Sequence, residues 1–417
     1  MNRKIVKLNN SQISDFVDIN IRAYPVVFAG PSFNRDEVYE RNCKTQTEDD
    51  NANLYGLIEN EKLLGGMILY DFIVNYSGED IPVAGIGAVS VDLLHKKEKV
   101  CKDMVEFFLK AYKERGYAIA MLYPFSPEFY KKMGFGYGTK MNQYRINPSG
   151  LCCSGSKEHI IYLKEEHKPQ MVECFNRYRA KTHGAAKKIN NDLNLLFMPN
   201  RTVIGYVKDG VVYGYAIMRF EPSKHASFLI YDLIIEELIY ENAEVFGEIA
   251  TFLNSQADQI RSIVYNTQEE NFHFALADVR NGSPDLIRPC YHESNVSGVG
   301  LMYRVIDVKG VFETLKFHDF GGQNAKIRFN ISDSLLQKNV NDVVICFNKG
   351  KALISEELDY DAEVAMDISE FSSLIMGAVN FKSLYRYGLA SISDSNYVDI
   401  IEKIFKIEQK PMCASRF

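Results

Sequence analysis

The chain lacks the features that would place it in a membrane, in the secretory route or on nucleic acid. No stretch of its 417 residues reaches the roughly 18 uninterrupted apolar residues that a membrane-spanning helix needs. The N-terminus has no continuous apolar segment of the kind found in secretory signals, so we expect a cytoplasmic protein with no membrane partner. A formal net charge of −6 argues against a general nucleic-acid binder.

Cysteine and histidine are sparse and poorly spaced for metal or disulfide chemistry. The eight cysteines are scattered and none forms a Cys-x-x-Cys pair, which favours reduced thiols over a disulfide scaffold. None of the eight histidines is followed by another at the i, i+4 spacing of helical zinc ligands, so we predict no metal site. The Gly-x-Ser-x-Gly motif of a serine nucleophile is absent as well.

Length and composition predict about three globular domains. At roughly 150 residues per domain, 417 residues give this number, and 46% hydrophobic with 24% charged residues is an ordinary globular composition. We place the domains at residues 1–148, 149–300 and 301–417. The first boundary falls at a stretch of small and turn-forming residues, PSGLCCSGS, over residues 148–156.

Hydrophobic periodicity predicts an α/β order in the first domain. The predicted strands cover residues 54–58, 63–72, 83–91 and 118–122, and the predicted helices cover 11–23 and 96–115. The second segment partly repeats this order, with a hairpin over 202–220 and a helix over 243–256, which suggests a degenerate repeat. The third segment reads as α+β, with strands at 326–331 and 343–347 and helices at 367–376 and 397–405.

A strand–turn–helix segment, VSVDLLHKKEKVCKDM over residues 89–104, is the best candidate for ligand binding. The N-terminus of a helix offers free N–H groups and partial positive charge, which suit a pyrophosphate. Lys96, Lys97, Lys99 and Lys102 add charge there. Taken alone, the segment is explained equally well as the solvated basic face of a surface helix.

A second segment, LYPFSPEFYKKMGFGYG over residues 122–138, follows a predicted strand with two prolines and three alternating glycines. The spacing of its glycines does not fit a phosphate loop, and a bulged strand entry is the simpler interpretation. Tyr130 lies in its centre. By position alone it is a core aromatic residue or a catalytic one.

Together the two segments resemble the core of the GNAT superfamily of N-acetyltransferases, and more narrowly the Eis (enhanced intracellular survival) acetyltransferases. That family has V-x-V-x-P-x-H-R-R-R-G where this chain has Val89-Ser-Val91 and His95-Lys96-Lys97. Its later element ends near F/I-Y-x-R-F-G-Y-G, where this chain reads FYKKMGFG over residues 129–136. The resemblance covers the whole chain. It implies tandem GNAT-like domains, the second without its own cofactor site, and a C-terminal α+β domain resembling sterol carrier proteins.

The resemblance implies acetyl-CoA as cosubstrate and suggests which residues bind it. Val89, Ser90 and Val91 correspond to the splayed strand whose backbone pairs with the pantetheine arm, and Phe125 and Ser126 to a second backbone contact. The pyrophosphate loop corresponds to Lys96, Lys97, Glu98, Lys99, Val100, Cys101 and Lys102.

The resemblance also implies the two catalytic groups. Tyr130 corresponds to the general acid that protonates the departing thiolate, and the free carboxylate of the last residue, Phe417, to the general base. One departure concerns the loop, where Lys99 replaces a family glycine and Leu93 a proline. A side chain at position 99 would crowd the pyrophosphate or hold the backbone in a strained conformation.

The expected activity is transfer of an acetyl group to a primary amine. The family suggests an aminoglycoside-like or polyamine-like molecule, or a lysine side chain, as the acceptor, and a homohexamer as the assembly. Two alternatives stay open. One is a non-catalytic assembly or scaffold protein with this fold, which Lys99 favours. The other is a lipid-binding protein that uses the third domain.

Overall fold

The computed structural model describes residues 3–30, 33–222, 229–336 and 343–417. Contacts group the chain into two compact units. The first contains Met1–Gly138, Gly300–Lys410 and Phe417, and the second contains Thr139–Val299 and Pro411–Arg416. The N-terminal and C-terminal segments, which the sequence analysis assigned to separate domains, thus fall largely within one unit.

The N-terminal segment of the first unit contains the four strands and two helices that the sequence predicts, together with further strands and helices. Its strands are β1 (Arg3–Lys7), β2 (Ala52–Glu59), β3 (Lys62–Tyr76), β4 (Glu79–Val91), β5 (Ile119–Leu122) and β6 (Gly136–Tyr137). Its helices are α1 (Asn10–Ala23), α2 (Arg35–Glu48), α3 (Val100–Glu114) and α4 (Pro127–Lys131).

The second unit has its own sheet and helices. Its strands are β7 (Lys140–Ile146), β8 (Ile160–Tyr162), β9 (Thr202–Lys208), β10 (Val211–Pro222), β11 (Tyr231–Tyr240), β12 (Ile260–Thr267), β13 (Leu286–Arg288), β14 (Tyr291–His292) and β15 (Asn295–Val299). Its helices are α5 (Lys168–Arg179), α6 (Asn190–Asn194) and α7 (Ala243–Asn254).

The C-terminal segment returns to the first unit. Its strands are β16 (Met302–Val305), β17 (Ala325–Ser332), β18 (Val343–Asn348), β19 (Lys351–Ser355), β20 (Ala362–Asp367) and β21 (Ala390–Ile392). Its helices are α8 (Val308–Thr314), α9 (Ile368–Ile375), α10 (Phe381–Arg386) and α11 (Val398–Ile404). In the described ranges, every helix is too short or too polar to cross a bilayer.

The first unit contains a seven-stranded sheet in the order β1-β2-β3-β4-β5-β16-β6. The predicted hairpin is β2–β3, which pair antiparallel. On one face α3 buries Met104 and Phe108 in a cluster that also contains Ile86 of β4. Burying one such side chain contributes about 1.5–3 kcal/mol, so this helix is fixed firmly behind β4. Helix α1 contributes Phe16 and Val17 to a separate cluster.

Strand β16 joins the N-terminal sheet although it lies within the predicted third domain. It pairs antiparallel with both β5 and β6. Helix α9 is hydrogen-bonded to it, since the Val305 N–H donates to Ser372 Oγ at 2.8 Å. The C-terminal segment also forms a five-stranded sheet, β19-β18-β17-β20-β21. Strand β17 matches the strand predicted at 326–331.

The second unit is built on a sheet of order β15-β7-β12-β11-β10-β9-β8. Its predicted hairpin is β9–β10, with Asp209 and Gly210 at positive φ in the tight turn. Strand β7 pairs with β12 and β15 in this sheet. The domain boundary predicted at residue 148 therefore falls later than the start of this unit at Thr139.

Candidate active site

A cavity of about 730 Å³ opens in the first unit beside the C-terminal end of β4. It is lined by the end of that strand, the following basic loop, the start of α3 and side chains from α1 and α4. The lining residues are Ala23, Tyr24, Val89, Ser90, Val91, His95, Lys96, Lys97, Lys99, Val100, Cys101, Lys102, Phe125 and Phe129. Ten of the predicted cosubstrate-binding residues are among them.

The cavity lies where two parallel strands separate. Strands β4 and β5 pair only at Ala84 with Ala120 and at Gly85 with Met121. Beyond these pairs β4 continues to Val91, and its backbone edge no longer has β5 as a partner. Such an open edge can pair with an extended polar ligand, as an added strand would.

A β-bulge deforms β4 at this point. Gly87 lies opposite Ile68 while Ser90 lies opposite Gly66, so two residues, Ala88 and Val89, face the single Met67. Ala88 has a φ of 49°, a left-handed conformation that costs a non-glycine residue free energy. Ser90 Oγ is buried without a hydrogen-bond partner in the part of the chain that is described. Both observations make this bulge a candidate functional site.

The loop before α3 turns sharply at two lysines. Lys97 and Lys99 have φ values of 67° and 65°, in the region that favours glycine. Because Lys99 lies in this conformation at the N-cap, α3 begins at Val100 rather than at residue 96 as predicted. Lys99 gives no side-chain cap, so the first N–H groups of the helix are available to an anion.

Glu98 lies in the same loop but outside the cavity lining. Arg3 donates to its backbone oxygen at 2.8 Å and approaches its carboxylate at 3.8 Å. His95 contacts the same carboxylate at 3.1 Å. Glu98 thus holds the loop to β1, whereas the neighbouring lysines line the cavity.

Tyr130 is a core residue whose ring packs against Phe125 and Phe129 of the cavity lining. It is 2% exposed and packs with Met104 and Phe135. The Cys101 thiol, which lines the cavity, lies near this phenol. Burial, with the nearby Cys101 and Tyr24, raises the pKa of Tyr130, so the phenol keeps its proton at neutral pH.

The segment before Tyr130 contains the other two residues predicted to contact the cosubstrate, Phe125 and Ser126. Ser126 is the N-cap of α4, and its carbonyl accepts the Tyr130 N–H at 3.3 Å. Phe125 is 62% exposed and its ring lies 5.5 Å from that of Tyr130. Phe125 lines the cavity, and Ser126 is not among the lining residues.

The C-terminal carboxyl group of Phe417 lies against β4. A Cβ atom added at Gly87 would be 2.6 Å from its carboxyl carbon, so only glycine fits there. The Phe417 ring lies 5.6, 4.7 and 5.3 Å from the rings of Tyr70, Phe72 and Tyr123. Gly87 precedes the bulge directly, which brings the carboxyl group next to the strand that lines the cavity.

Four lining residues were not predicted from the sequence: Ala23, Tyr24, His95 and Phe129. Tyr24 is the most informative, because its hydroxyl donates to the Val89 carbonyl at 2.5 Å. The end of a predicted helix at Tyr24-Pro25 was the only local signal for it. Across the described ranges, no group of three or more metal-ligating side chains comes together.

Two protein-family models match the chain. Residues 4–138 match an acetyltransferase (GNAT) domain and residues 308–414 a sterol carrier protein domain. A search of curated protein sequences finds no significant match. Both matched segments lie within the ranges predicted for such domains, 1–148 and 301–417.

Solved structures share the fold of the whole chain. A GCN5-related N-acetyltransferase from Anabaena variabilis superposes with a TM-score of 0.82 at 16% identity, over 100% of both chains. A probable N-acyltransferase from Enterococcus faecalis gives 0.81 at 18%, and Eis1 from Mycobacterium abscessus gives 0.74 at 16%, again over 100% of both chains. At these identities the likeness concerns the fold. The expected α/β class and the Eis-like architecture are confirmed.

Proposed function

We propose that this chain, with a GNAT acetyltransferase domain and a sterol carrier protein domain in an Eis-like fold, is an N-acetyltransferase that uses acetyl-CoA and a primary amine. The observation that carries the proposal is the position of the Phe417 carboxyl group at Gly87, on the strand whose bulge opens into the cavity. The proposed base, the Phe417 carboxylate, and a cavity large enough for the cosubstrate therefore both lie beside β4.

The residues of the cavity fit acetyl-CoA. The N–H groups at the start of α3 and the lysines of the loop would hold its pyrophosphate. The open edge of β4 at Val89–Val91 would pair with the pantetheine amides, beside the unpaired Ser90 Oγ. When bound, acetyl-CoA supplies an activated acyl carbon with a thiol leaving group.

The chain's own groups would supply the proton transfers. A primary amine is protonated at neutral pH and has to lose a proton before it can attack a thioester. The Phe417 carboxylate, which lies at Gly87 of β4, would accept that proton. The Tyr130 phenol, which stays protonated, would donate a proton to the leaving group.

Calorimetry with acetyl-CoA and coenzyme A, followed by acetyl-transfer assays, tests the proposal. Lys102→Gln removes a cation at the cavity, and we expect it to weaken binding severalfold, increasingly at low salt. Lys110→Gln is the matched control, because Lys110 lies on the same helix outside the lining and pairs with Glu106. Absence of acetyl-CoA binding by the unmodified protein would refute the proposal.

The acceptor is proposed as an aminoglycoside-like or polyamine-like molecule or a lysine side chain. The negative net charge is compatible with a cationic acceptor. A panel that contains a polyamine, several aminoglycosides and a lysine peptide would separate these classes by kcat/KM. Transfer to none of them, with acetyl-CoA bound, would contradict this part of the proposal.

A scaffold protein without catalytic activity is the second candidate function. Lys97 and Lys99 favour it, because side chains at two positive-φ positions occupy space where a glycine loop would let phosphates approach the backbone. The two candidates differ in the calorimetric experiment, since a scaffold would bind neither acetyl-CoA nor coenzyme A.

The assembly and location are also proposals. We propose a homohexamer in the cytoplasm, the assembly by analogy with the family. All eight cysteines are free, as in a reducing compartment. Sedimentation at micromolar concentration would contradict the hexamer if it gave a monomer.

A further inference from the structure

The Tyr24 hydroxyl contacts the β4 bulge from outside the sheet. Tyr24 is the C-cap residue of α1, and its own N–H donates to the Asn20 carbonyl. Its hydroxyl donates to the Val89 carbonyl at 2.5 Å, across 65 positions of the sequence. Burial, followed by the neighbouring Cys101, raises the pKa of Tyr24, so this donor keeps its proton. One side chain thus ties a helix end to the strand that lines the cavity.

The bulge needs such a tie. Ala88 lies at positive φ, a conformation that persists only where the surroundings determine it. The Val89 carbonyl belongs to the peptide unit that follows the bulge. Because a peptide unit is planar, fixing its carbonyl also fixes the direction of the Ser90 N–H. The Tyr24 hydrogen bond therefore orients both polar groups of this peptide.

We propose that Tyr24 is a positioning residue that holds the Ala88–Val89 bulge in the conformation that receives the pantetheine arm of acetyl-CoA. The inference rests on the proposed function for its ligand. The claim that Tyr24 maintains the bulge does not depend on the ligand. It rests on the hydrogen bond to Val89 and on the strained φ of Ala88. Because Tyr24 acts through β4, the effect of removing its hydroxyl on acetyl-CoA binding should depend on the identity of residue 88.

The test compares Tyr24→Phe with the double variant Tyr24→Phe/Ala88→Gly. Tyr24→Phe keeps the ring and removes one hydrogen bond, so we expect acetyl-CoA to bind about three- to tenfold more weakly. Glycine adopts positive φ without the penalty, so Ala88→Gly should restore most of that loss. Tyr39→Phe on α2 is the control and should leave binding unchanged.

A second readout does not depend on the cosubstrate. Amide hydrogen exchange of the ligand-free protein should be faster at residues 88–91 in Tyr24→Phe than in the unmodified protein. Unchanged exchange there would overturn the proposal. If the unmodified protein binds no acetyl-CoA but exchange rises as expected, the proposed function fails and the role of Tyr24 stands.

Two binding results would also overturn the proposal. Tighter acetyl-CoA binding by Tyr24→Phe would mean that the hydroxyl competes with pantetheine for the Val89 carbonyl. Weaker binding that Ala88→Gly does not restore at all would mean that Tyr24 contacts the cosubstrate directly. Kinetics separate these cases further, since a positioning role predicts a rise in KM for acetyl-CoA and a fall in kcat together, both recovered in the double variant.

Discussion

Gly87 makes room for the last carboxyl group of the chain, and this gives the sharpest prediction at the scale of single residues. A methyl group at position 87 would lie 2.6 Å from the Phe417 carboxyl carbon, too close for both to stay in place. Gly87→Ala should therefore displace the proposed base. A general base contributes roughly 10²- to 10⁴-fold, so we expect a loss of kcat in that range, measured by steady-state acetyl transfer.

The matched control for this variant is Gly300→Ala. Gly300 has open space around its Cβ direction and no positive φ, so the substitution should leave activity unchanged. Acetyl-CoA binding should survive in both variants, because neither residue lines the cavity. Normal turnover by Gly87→Ala would show that the carboxyl position does not matter.

Lys99 is the second residue with a clear expected outcome. Its φ of 65° costs a lysine about 1 kcal/mol more than a glycine. Lys99→Gly should therefore raise the free energy of unfolding by about that amount and tighten acetyl-CoA binding, as measured by denaturation and calorimetry. Lys99→Gln, which removes only the charge, is the control. Equal weakening in both variants would mean that the lysine attracts the pyrophosphate.

The part of the site that is contiguous in sequence could be predicted from local pattern, whereas the roles of Tyr24 and Gly87 could not. Val89–Val91 and the lysine loop form one strand–turn–helix segment, so local pattern was enough to place them together. Tyr24 reaches Val89 only because α1 ends at the bulge, which no local pattern encodes. The role of Gly87 depends on Phe417, a residue 330 positions away, which no pattern within its own strand indicates.

At the scale of elements, β16 shows what sequence periodicity leaves undetermined. Its four residues lie at the start of the predicted third domain, but its partners β5 and β6 lie in the N-terminal segment. Period and length identify a strand, and they do not identify the sheet it joins. The first strand of the predicted third domain, β16, therefore belongs to the sheet of the N-terminal segment.

A buried ion pair beside β16 gives a prediction for this element. Arg304 and Asp333 are fully buried, and one guanidinium nitrogen donates to both carboxylate oxygens at 2.9 Å. Asp333→Ala leaves the arginine charge unpaired and should lower the free energy of unfolding by about 3–5 kcal/mol. Arg304→Met/Asp333→Ala should lose much less, because no charge remains buried. Denaturant titrations measure both, and equal losses would contradict this account.

The Arg304–Asp333 pair also predicts how the free energy of unfolding changes with pH. Burial alone would raise the pKa of Asp333, but the Arg304 charge and two backbone N–H groups outweigh it and hold that pKa below its ordinary value. A carboxyl group with a lowered pKa stabilises the fold above about pH 4 and loses that contribution as the pH falls further. The unmodified protein should therefore lose more stability between about pH 4 and pH 2 than the double variant does.

At the scale of the whole molecule, the end of the chain is divided between the two compact units. Residues 411–416 are grouped with the second unit, where the Cys413 N–H donates to Gln268 at 2.7 Å and the Ser415 hydroxyl to Asp192 at 2.9 Å. Phe417 alone is grouped with the first. Local sequence gives no sign of this, since the last seven residues contain no regular helix or strand.

The position of Phe417 predicts that turnover depends more on its main-chain carboxylate than on its side chain. Deleting Phe417 leaves a carboxylate one residue short, about 3.5 Å away in an extended chain, and a base has to lie within hydrogen-bond reach of its proton. A C-terminal tag removes the free carboxylate from this position altogether. Both forms should lose turnover, and Phe417→Leu should keep a substantial fraction. All three should still bind acetyl-CoA, because Phe417 does not line the cavity.

Steady-state acetyl transfer to a polyamine and an aminoglycoside panel measures the effect, and the same tag placed at the N-terminus is the control. The N-terminal tag adds equal mass without altering the C-terminal carboxyl group, so that form should turn over normally. Full activity in the C-terminally extended protein would exclude Phe417 as the base. The base would then have to be sought among the carboxylates of the first unit, where Asp92 is the nearest in sequence to the bulge at Ala88–Val89.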